Sequence, residues 1–339
     1  MIIKISIPGV SKKFIPNDLL NFSKNNNVKV FINDPSIVDC DFWFIVEDIF
    51  INDSEKVKCR KIIFLGAETV YSYDYFKSPW MIDFIKQFDM VYSTGFIQGK
   101  DVINSPPFLP WMYSGNHGHI YGYLDKNSLP LNSNSKYSNK ISVICSDKQL
   151  NETQRLRFNF VVEIKKYFKD SIDWFGSGVN PIDIKSNAIN SYKYHIVLEN
   201  QIRNNLFSEK IYDSYLGLAM PIYSGAPNIS SYFPKDSLIE IDIFDIRESI
   251  FKIEKLISSN YYEENLFSIK YARELVLNKY NILNRIINIS NSLDININKK
   301  FVCFNSKSFL KRRYLLQNPL RLLKYKFNNY INSFSDIKY

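Results

Sequence analysis

The stretch from Tyr194 to Pro227 places charged side chains where a buried apolar run ends. The run stops at Glu199-Asn200, and Ser208 then precedes Glu209-Lys210 at the start of an apolar-periodic segment. Serine is a preferred residue for capping a helix N-terminus. The free amides and the positive dipole end of such a helix attract anions, and a lysine in the first turn adds a full charge. These residues predict a phosphate-binding helix with a carboxylate for sugar hydroxyls, and the alternative is a capped surface helix with a solvated Glu/Lys pair.

The stretch is similar to the donor-binding signature of the α-1,3-fucosyltransferases, glycosyltransferase family 10. The segments that carry the resemblance are Tyr192-Lys193-Tyr194, Leu198-Glu199-Asn200, Ser208-Glu209-Lys210-Ile211, Pro221-Ile222 and Gly225-Ala226-Pro227. Upstream, Arg155 and the segment from Asp173 to Gly176 resemble the family's arginine helix and its D-x-x-G segment. The similarity covers residues 141–245. Two positions depart from the family pattern, because Leu206 replaces an aromatic residue and Ser208 replaces a threonine.

The resemblance implies an α/β GT-B fold, in which two Rossmann-like doubly wound domains face a cleft. It implies that Arg155 and Lys210 hold a diphosphate, that Glu209 binds a ribose and that Asn200 lies beside the donor. The remaining donor-site positions that it implies are Ser208, Glu199, Gly176, Tyr223 and Gly225. Fixed positive groups on a leaving diphosphate stabilise the charge that develops in the transition state.

The activity implied is the inverting transfer of L-fucose from GDP-β-L-fucose to a hydroxyl of a bacterial surface glycan, such as a lipopolysaccharide or capsule repeat, or a glycoprotein. The expected position is O3 of N-acetylglucosamine or glucose. Two alternatives remain open at this point. The enzyme could use a related GDP-deoxysugar, since Leu206 departs from the pattern. The chain could instead be a non-enzymatic protein that binds membranes or polyanions on a degenerate GT-B scaffold.

A general base must lie within hydrogen-bond reach of the acceptor hydroxyl. Glu68 follows the predicted strand Ile62–Leu65 in the loop Gly66-Ala67-Glu68, a place comparable to that of the family's base, so we predict that it fills this role. The alternative for Glu68 is a solvated loop acid, and Glu47, after the strand Phe42–Val46, is the reserve candidate. His117 and His119 form an H-x-H in a Gly-rich segment and are weak candidates for acceptor contact. His195 lies in an apolar run and is expected to be a hydrogen-bonded core residue.

No metal or cofactor is expected to be required, with a divalent ion at most stimulatory. Asp39-Cys40-Asp41 matches the D-x-D motif that binds metal and diphosphate in other glycosyltransferases, but it lies in the half of the chain that does not bind the donor. The four cysteines are scattered without a C-x-x-C pair, so a zinc site is not predicted and reduced thiols are expected.

Short apolar runs alternate with helical segments in two series, which predicts two parallel sheets. The first series includes strands Lys4–Ile7, Val28–Ile32 and Met90–Ser93, with helices over 17–24 and 80–87. The irregular stretch 104–139 contains many Pro, Gly, Ser and Asn residues and predicts an interdomain connection. We therefore predict an acceptor domain with its linker over 1–139, a nucleotide-sugar domain over 140–298, and a basic amphipathic tail over 299–339.

The net charge of +9 equals the charge of the last 41 residues, which hold ten Lys or Arg and one acid. A neutral body with a basic tail gives no support for nucleic-acid binding, and none is expected. No apolar run reaches the roughly 18–20 residues that a spanning helix needs. Residues 307–334 interleave aromatic and basic side chains, which favours peripheral contact with the inner membrane, where a lipid-linked acceptor would lie. The alternative for the tail is a terminal helix that packs on the protein itself. The expected location of the protein is cytoplasmic.

Overall fold

The fold consists of two parallel α/β sheets and a C-terminal segment that returns to the first of them. The computed structural model describes residues 1–7, 27–49, 52–67, 78–95, 97, 99–113, 137–149 and 152–317. The predicted helix over 17–24 and the linker residues 114–136 lie outside this description.

The N-terminal sheet has six parallel strands in the order β2-β1-β3-β5-β6-β7. Its elements are β1 Ile2–Ser6, β2 Lys29–Ile32, β3 Phe42–Val46, β5 Lys61–Leu65, α1 Pro79–Lys86, β6 Met90–Ser93 and β7 Ile103–Asn104. All five residues of β3 are buried, because the sheet is covered on both faces. Strands covered in this way are continuously apolar, which explains why sequence patterning predicted them. Their carboxyl ends lie along one edge of the sheet.

The C-terminal sheet has five parallel strands in the order β12-β11-β10-β8-β9. Its elements are β8 Ser138–Ile144, α2 Glu152–Phe168, β9 Ile172–Phe175, β10 Tyr192–Leu198, α3 Glu209–Leu216, β11 Met220–Ser224 and β12 Ile239–Glu240. Helices α4 Ile246–Ile257, α5 Tyr261–Glu264 and α6 Leu266–Glu274 follow. The prediction of two doubly wound parallel sheets is therefore confirmed.

The chain returns to the N-terminal sheet after residue 280. Helix α7, Ile282–Ser292, packs Ile282, Leu283, Ile286 and Ile287 into the same core as β1 and β3. Strand β13, Lys300–Asn305, then pairs antiparallel with β4, Ser54–Cys59. The predicted nucleotide-sugar domain ends at residue 298, but in the structure the segment from about residue 281 packs in the core of the N-terminal sheet.

Part of the predicted tail is built into the fold. Helix α8, Lys307–Leu316, packs against α1 and buries Leu310. Lys307 forms an ion pair with Glu47 at 2.7 Å, and Arg312 pairs with Asp53. The apolar side chains at 309 and 310, predicted to face a membrane, instead pack on the protein because a buried core was available nearby. Residues 318–339 lie outside the described part of the chain. Within the described residues, no helix is long and apolar enough to span a membrane.

Candidate active site

A pocket opens at the carboxyl end of the C-terminal sheet, as expected for ligand sites in parallel α/β sheets. It lies between the ends of β8, β9 and β10 and the first turn of α3. Its lining combines apolar strand residues with charged side chains: Ile144, Ser146, Arg157, Gly176, Ser177, Lys185, Ile189, His195, Ile196, Val197, Leu198, Glu209, Lys210 and Asp213.

Ser208 caps α3 and links it to the end of β10. Its Oγ accepts a hydrogen bond from the backbone N–H of Lys210, while the hydroxyl donates to Glu199 Oε2 at 2.7 Å. The Ser208 backbone N–H donates to Glu199 Oε1 at 2.8 Å. Glu199 is buried, and Lys210 Nζ lies 3.7 Å from its Oε2. Glu199 therefore holds Ser208 at the start of α3 and lies beside Lys210. It supports the pocket from behind and is absent from the pocket lining.

Arg157 lines the pocket, and Arg155 does not. Arg155 is exposed on α2, whereas Arg157 is 9% exposed and donates through Nη1 to Asn200 Oδ1. The Arg157 Nε finds no hydrogen-bond partner among the described residues. Helical geometry explains why Arg157, and not the predicted Arg155, lies at the pocket. Phe160, Val161 and Ile164 form the buried face of α2, and residue 155 projects about 200° away from residue 157.

Glu209 is held by two lysines. Its Oε1 lies 3.5 Å from Lys210 Nζ and 3.4 Å from Lys185 Nζ. Burial alone would raise the pKa of Glu209, but the two lysine charges outweigh it and lower the pKa to about 2. Glu209 is therefore a carboxylate at any physiological pH, available as a hydrogen-bond acceptor.

Lys185 and Asp213 form a second ion pair in the wall of the pocket, with Nζ 2.9 Å from Oδ2. Asp213 is 1% exposed, and its Oδ1 accepts the backbone N–H of Met112 at 2.7 Å. Burial raises the pKa of Asp213 to about 6, although Lys185 opposes the shift. The pKa of Lys185 lies above its usual range, since the attraction of Asp213 and Glu209 outweighs the effect of burial.

Two glycines of the predicted site are required by close packing. A Cβ on Gly176, whose φ is +147°, would lie 2.3 Å from the Cys145 carbonyl oxygen, and Gly176 lines the pocket. A Cβ on Gly225 would lie 2.2 Å from the Tyr223 hydroxyl oxygen. Tyr223 is 2% exposed, and its hydroxyl accepts the Ala226 N–H at 2.8 Å. Tyr223 and Gly225 are absent from the pocket lining and support the turn behind Glu199.

Leu206 replaces the aromatic residue of the family pattern, and the next residue in this chain, Phe207, is aromatic. Leu206 is buried, and Phe207 packs edge-on against Tyr212, Tyr232 and Phe233. Neither residue lines the pocket. The aromatic side chain of this loop therefore belongs to the core beneath the site, displaced by one position from the family pattern.

His195 is buried, as expected, and its Nδ1 lies 2.7 Å from Ser142 Oγ. Burial, together with the charge of Lys185, lowers its pKa to about 3, so the ring is neutral. It also borders the pocket. A neutral ring already bonded to a serine is a structural residue of the pocket floor.

The predicted base, Glu68, lies outside the described residues, as do His117 and His119. The reserve candidate, Glu47, follows β3 with a φ of +64° and is 9% exposed. Its Oε1 accepts the Ala67 N–H at 2.7 Å, and its Oε2 pairs with Lys307 Nζ at 2.7 Å. Both carboxylate oxygens are thus engaged, which makes Glu47 a structural link between the sheet and α8.

The D-x-D residues are paired with basic side chains. Asp39 Oδ1 lies 2.6 Å from Lys299 Nζ, and Asp41 Oδ1 lies 3.1 Å from Arg60 Nε. Asp41 also accepts the Ile2 N–H at 2.7 Å. In the part of the chain that the structure describes, no group of three or more His, Cys, Asp or Glu side chains is arranged to hold a metal ion.

Sequence reasoning missed Arg157, Lys185 and Asp213. The burial periodicity of α2 would have selected Arg157, since it lies three, four and seven residues before the buried positions of that helix. Asp213 lies one helical turn after Glu209 and therefore projects from the same face. Nothing in the local sequence distinguishes Lys185, which lies in the short 3₁₀ turn Lys185–Ala188.

The two parallel α/β sheets form a GT-B fold. A solved α-glucosyltransferase in complex with UDP and a 13-mer DNA has the same fold at 11% sequence identity, with a TM-score of 0.53, covering 87% of this chain and 99% of its own. An α1,3-fucosyltransferase crystallised with GDP-fucose aligns at 16% identity with a TM-score of 0.48, over 79% of this chain and 82% of its own.

Residues 135–268 match the model for the C-terminal part of glycosyltransferase family 10 (fucosyltransferase). The C-terminal sheet and its pocket therefore match the family 10 glycosyltransferase model, and the predicted resemblance is confirmed. The match begins just before β8 and ends within α6, so it includes every residue that lines the pocket.

Proposed function

We propose that this protein transfers L-fucose from GDP-β-L-fucose to a hydroxyl of a glycan, with inversion at the anomeric carbon. One observation carries the proposal: Arg157, Lys210 and the capped N-terminus of α3 converge on one pocket at the carboxyl end of a family 10 domain. Positive groups at this place suit a nucleoside diphosphate, because the helix end contributes the positive end of its dipole and the two side chains supply charge.

Different residues of the pocket bind different parts of the donor. Arg157 and Lys210 contact the diphosphate, and Glu209 accepts hydrogen bonds from the ribose hydroxyls. The buried Nε of Arg157, which has no partner among the residues that the structure describes, supports this role, because a buried donor without a partner is costly and a phosphate oxygen would satisfy it. Asn200 holds the Arg157 guanidinium from its other side.

Transfer requires a base on the acceptor side, and we propose Glu68. The acceptor hydroxyl gives its proton to the carboxylate while its oxygen attacks C1 of fucose. The bond from C1 to the phosphate oxygen breaks, and GDP leaves with the electron pair. Glu47 is less suited to this task, since Lys307 and the Ala67 N–H already occupy both of its oxygens. No metal is required in this scheme, because Arg157 and Lys210 supply positive charge at the leaving group.

The proposed acceptor is a bacterial surface glycan, with O3 of N-acetylglucosamine or glucose as the position modified. Peripheral contact with the inner membrane would bring the enzyme to a lipid-linked acceptor. The apolar side chains of α8 pack on the protein, so this contact would rest on residues 318–334 and on exposed basic residues such as Arg313.

The test is a mass-spectrometric transfer assay with GDP-fucose and a panel of glycan acceptors. GDP-mannose and the common UDP-sugars serve as competing donors, and calorimetry with GDP measures nucleotide binding separately. We expect micromolar GDP affinity and a mass increase corresponding to a deoxyhexose with GDP-fucose. Transfer from a UDP-sugar would refute the donor assignment. The absence of GDP binding at millimolar concentration would favour a non-enzymatic scaffold.

A further inference from the structure

Lys185 lies between two carboxylates in the wall of the pocket. Its Nζ is 2.9 Å from Asp213 Oδ2 and 3.4 Å from Glu209 Oε1. All three side chains are largely buried, with exposures of 13%, 1% and 17% for Lys185, Asp213 and Glu209 respectively. Two acids that share one buried lysine form a network whose geometry is fixed, since each charge would be costly to bury without its partner.

The turn that carries Lys185 is anchored to the segment connecting the two sheets. The Ser186 N–H donates to the Tyr113 carbonyl at 2.9 Å, and Asp213 accepts the Met112 N–H. Tyr113 is 1% exposed and packs in the core of the C-terminal sheet. Lys185 is therefore held from both sides, by its own backbone turn and by Asp213.

Glu209 lies in the first turn of α3, and its carboxylate also accepts a hydrogen bond from its own backbone N–H. Both of its lysine contacts, from Lys210 and Lys185, use Oε1. In the proposed function Lys210 also binds the diphosphate, so its charge is shared between Glu209 and the ligand. Because both lysine contacts use Oε1, the other oxygen can face a pair of neighbouring hydroxyls, as in a ribose.

We propose that Lys185 is a positioning residue of the donor site, which fixes Glu209 against the vicinal hydroxyls of the nucleotide's ribose. This inference rests on the proposed function, in that it takes a GDP-sugar as the ligand of the pocket. Lys185 itself contacts neither the diphosphate nor the ribose. Lys185 affects nucleotide affinity only through Glu209. Asp213 is its second ion-pair partner.

The test compares GDP with 2′,3′-dideoxy-GDP in calorimetric titrations of Lys185→Met, Lys185→Arg and wild type. We expect Lys185→Met to weaken GDP binding about tenfold, the scale of one lost charge-assisted contact, and to change dideoxy-GDP binding less than about twofold. Lys185→Arg, which keeps the charge, should restore most of the GDP affinity. In a Glu209→Gln background, Lys185→Met should have no further effect on GDP binding.

Lys252→Met is the matched control, since it removes an exposed lysine from its pair with Glu248 on α4. If Lys185→Met folds poorly, the double variant Lys185→Met/Asp213→Asn removes one charge of each sign and should show the same ratio between the two nucleotides. An equal loss for both nucleotides, or no loss, would overturn the inference. Failure of wild type to bind GDP would instead refute the proposed function.

Discussion

Arg157 and Arg155 provide a matched pair on one helix for testing the donor site. Arg157 is 9% exposed, lines the pocket and has an Nε without a hydrogen-bond partner in the described part of the chain, whereas Arg155 is exposed on the other side of α2. A hydrogen bond to a charged group contributes about 1.5–3 kcal/mol. We therefore expect Arg157→Ala to weaken GDP binding by about 10- to 150-fold.

The effect on turnover should be larger than the effect on binding. Negative charge on the diphosphate grows as the bond to fucose breaks, and the loss of one fixed donor at such a position typically costs about 10²–10³ in kcat. Arg155→Ala should leave both quantities within about twofold of wild type, as surface substitutions usually do. Both variants remove the same charge, so the net charge of the protein does not distinguish them.

Calorimetry with GDP and initial rates with GDP-fucose measure the two quantities. Thermal unfolding must accompany them, because Arg157→Ala leaves Asn200 without its guanidinium partner. If Arg157→Ala unfolds, Arg157→Lys keeps a charge while it removes the paired donors. A large loss in Arg155→Ala together with normal activity in Arg157→Ala would refute the structural assignment and restore the one made from the sequence.

Four further outcomes are expected. Glu68→Gln should abolish most transfer while GDP affinity stays within a few-fold, and Glu47→Gln should mainly lower the melting temperature; the reverse result would exchange their roles. Transfer from GDP-fucose should persist in excess EDTA, and a complete loss reversed by added metal would contradict the proposal. Burial raises the pKa of Asp213 to about 6, above the value of about 3.9 in an unfolded chain, so the folded protein holds this proton more tightly. In urea unfolding, the free energy of unfolding of wild type should therefore fall by up to about 3 kcal/mol relative to that of Asp213→Asn as the pH rises from about 4 to about 6, and it should not change further above pH 6. A difference between the two proteins that is the same at every pH would count against the raised pKa of Asp213. Removal of 318–339 should strongly weaken salt-sensitive binding to anionic vesicles and keep transfer to a soluble acceptor, whereas removal of 307–339 should destabilise the fold. Unchanged vesicle binding after removal of 318–339 would refute the membrane contact.

Local patterns in the sequence were sufficient for the core of the fold. The strands β3 and β6 match their predicted limits, and Ser208 is the N-cap of α3 as expected. Buried parallel strands are continuously apolar, and a capped amphipathic helix carries its start in its own residues. The antiparallel pair β4–β13 was missed, because four of the six residues of β4 are polar and its partner strand lies about 240 residues away in the sequence.

The family motif, and with it Glu209, Lys210 and Asn200, could be found from the order of residues, since those residues follow one another closely around a single strand and helix. The side chains that surround them became known only from the folded structure. Lys185 reaches the pocket from a turn with no motif, and Lys307 reaches Glu47 from near the other end of the chain. Ion pairs of this kind depend on burial and on the approach of distant segments, and no local spacing of residues encodes either.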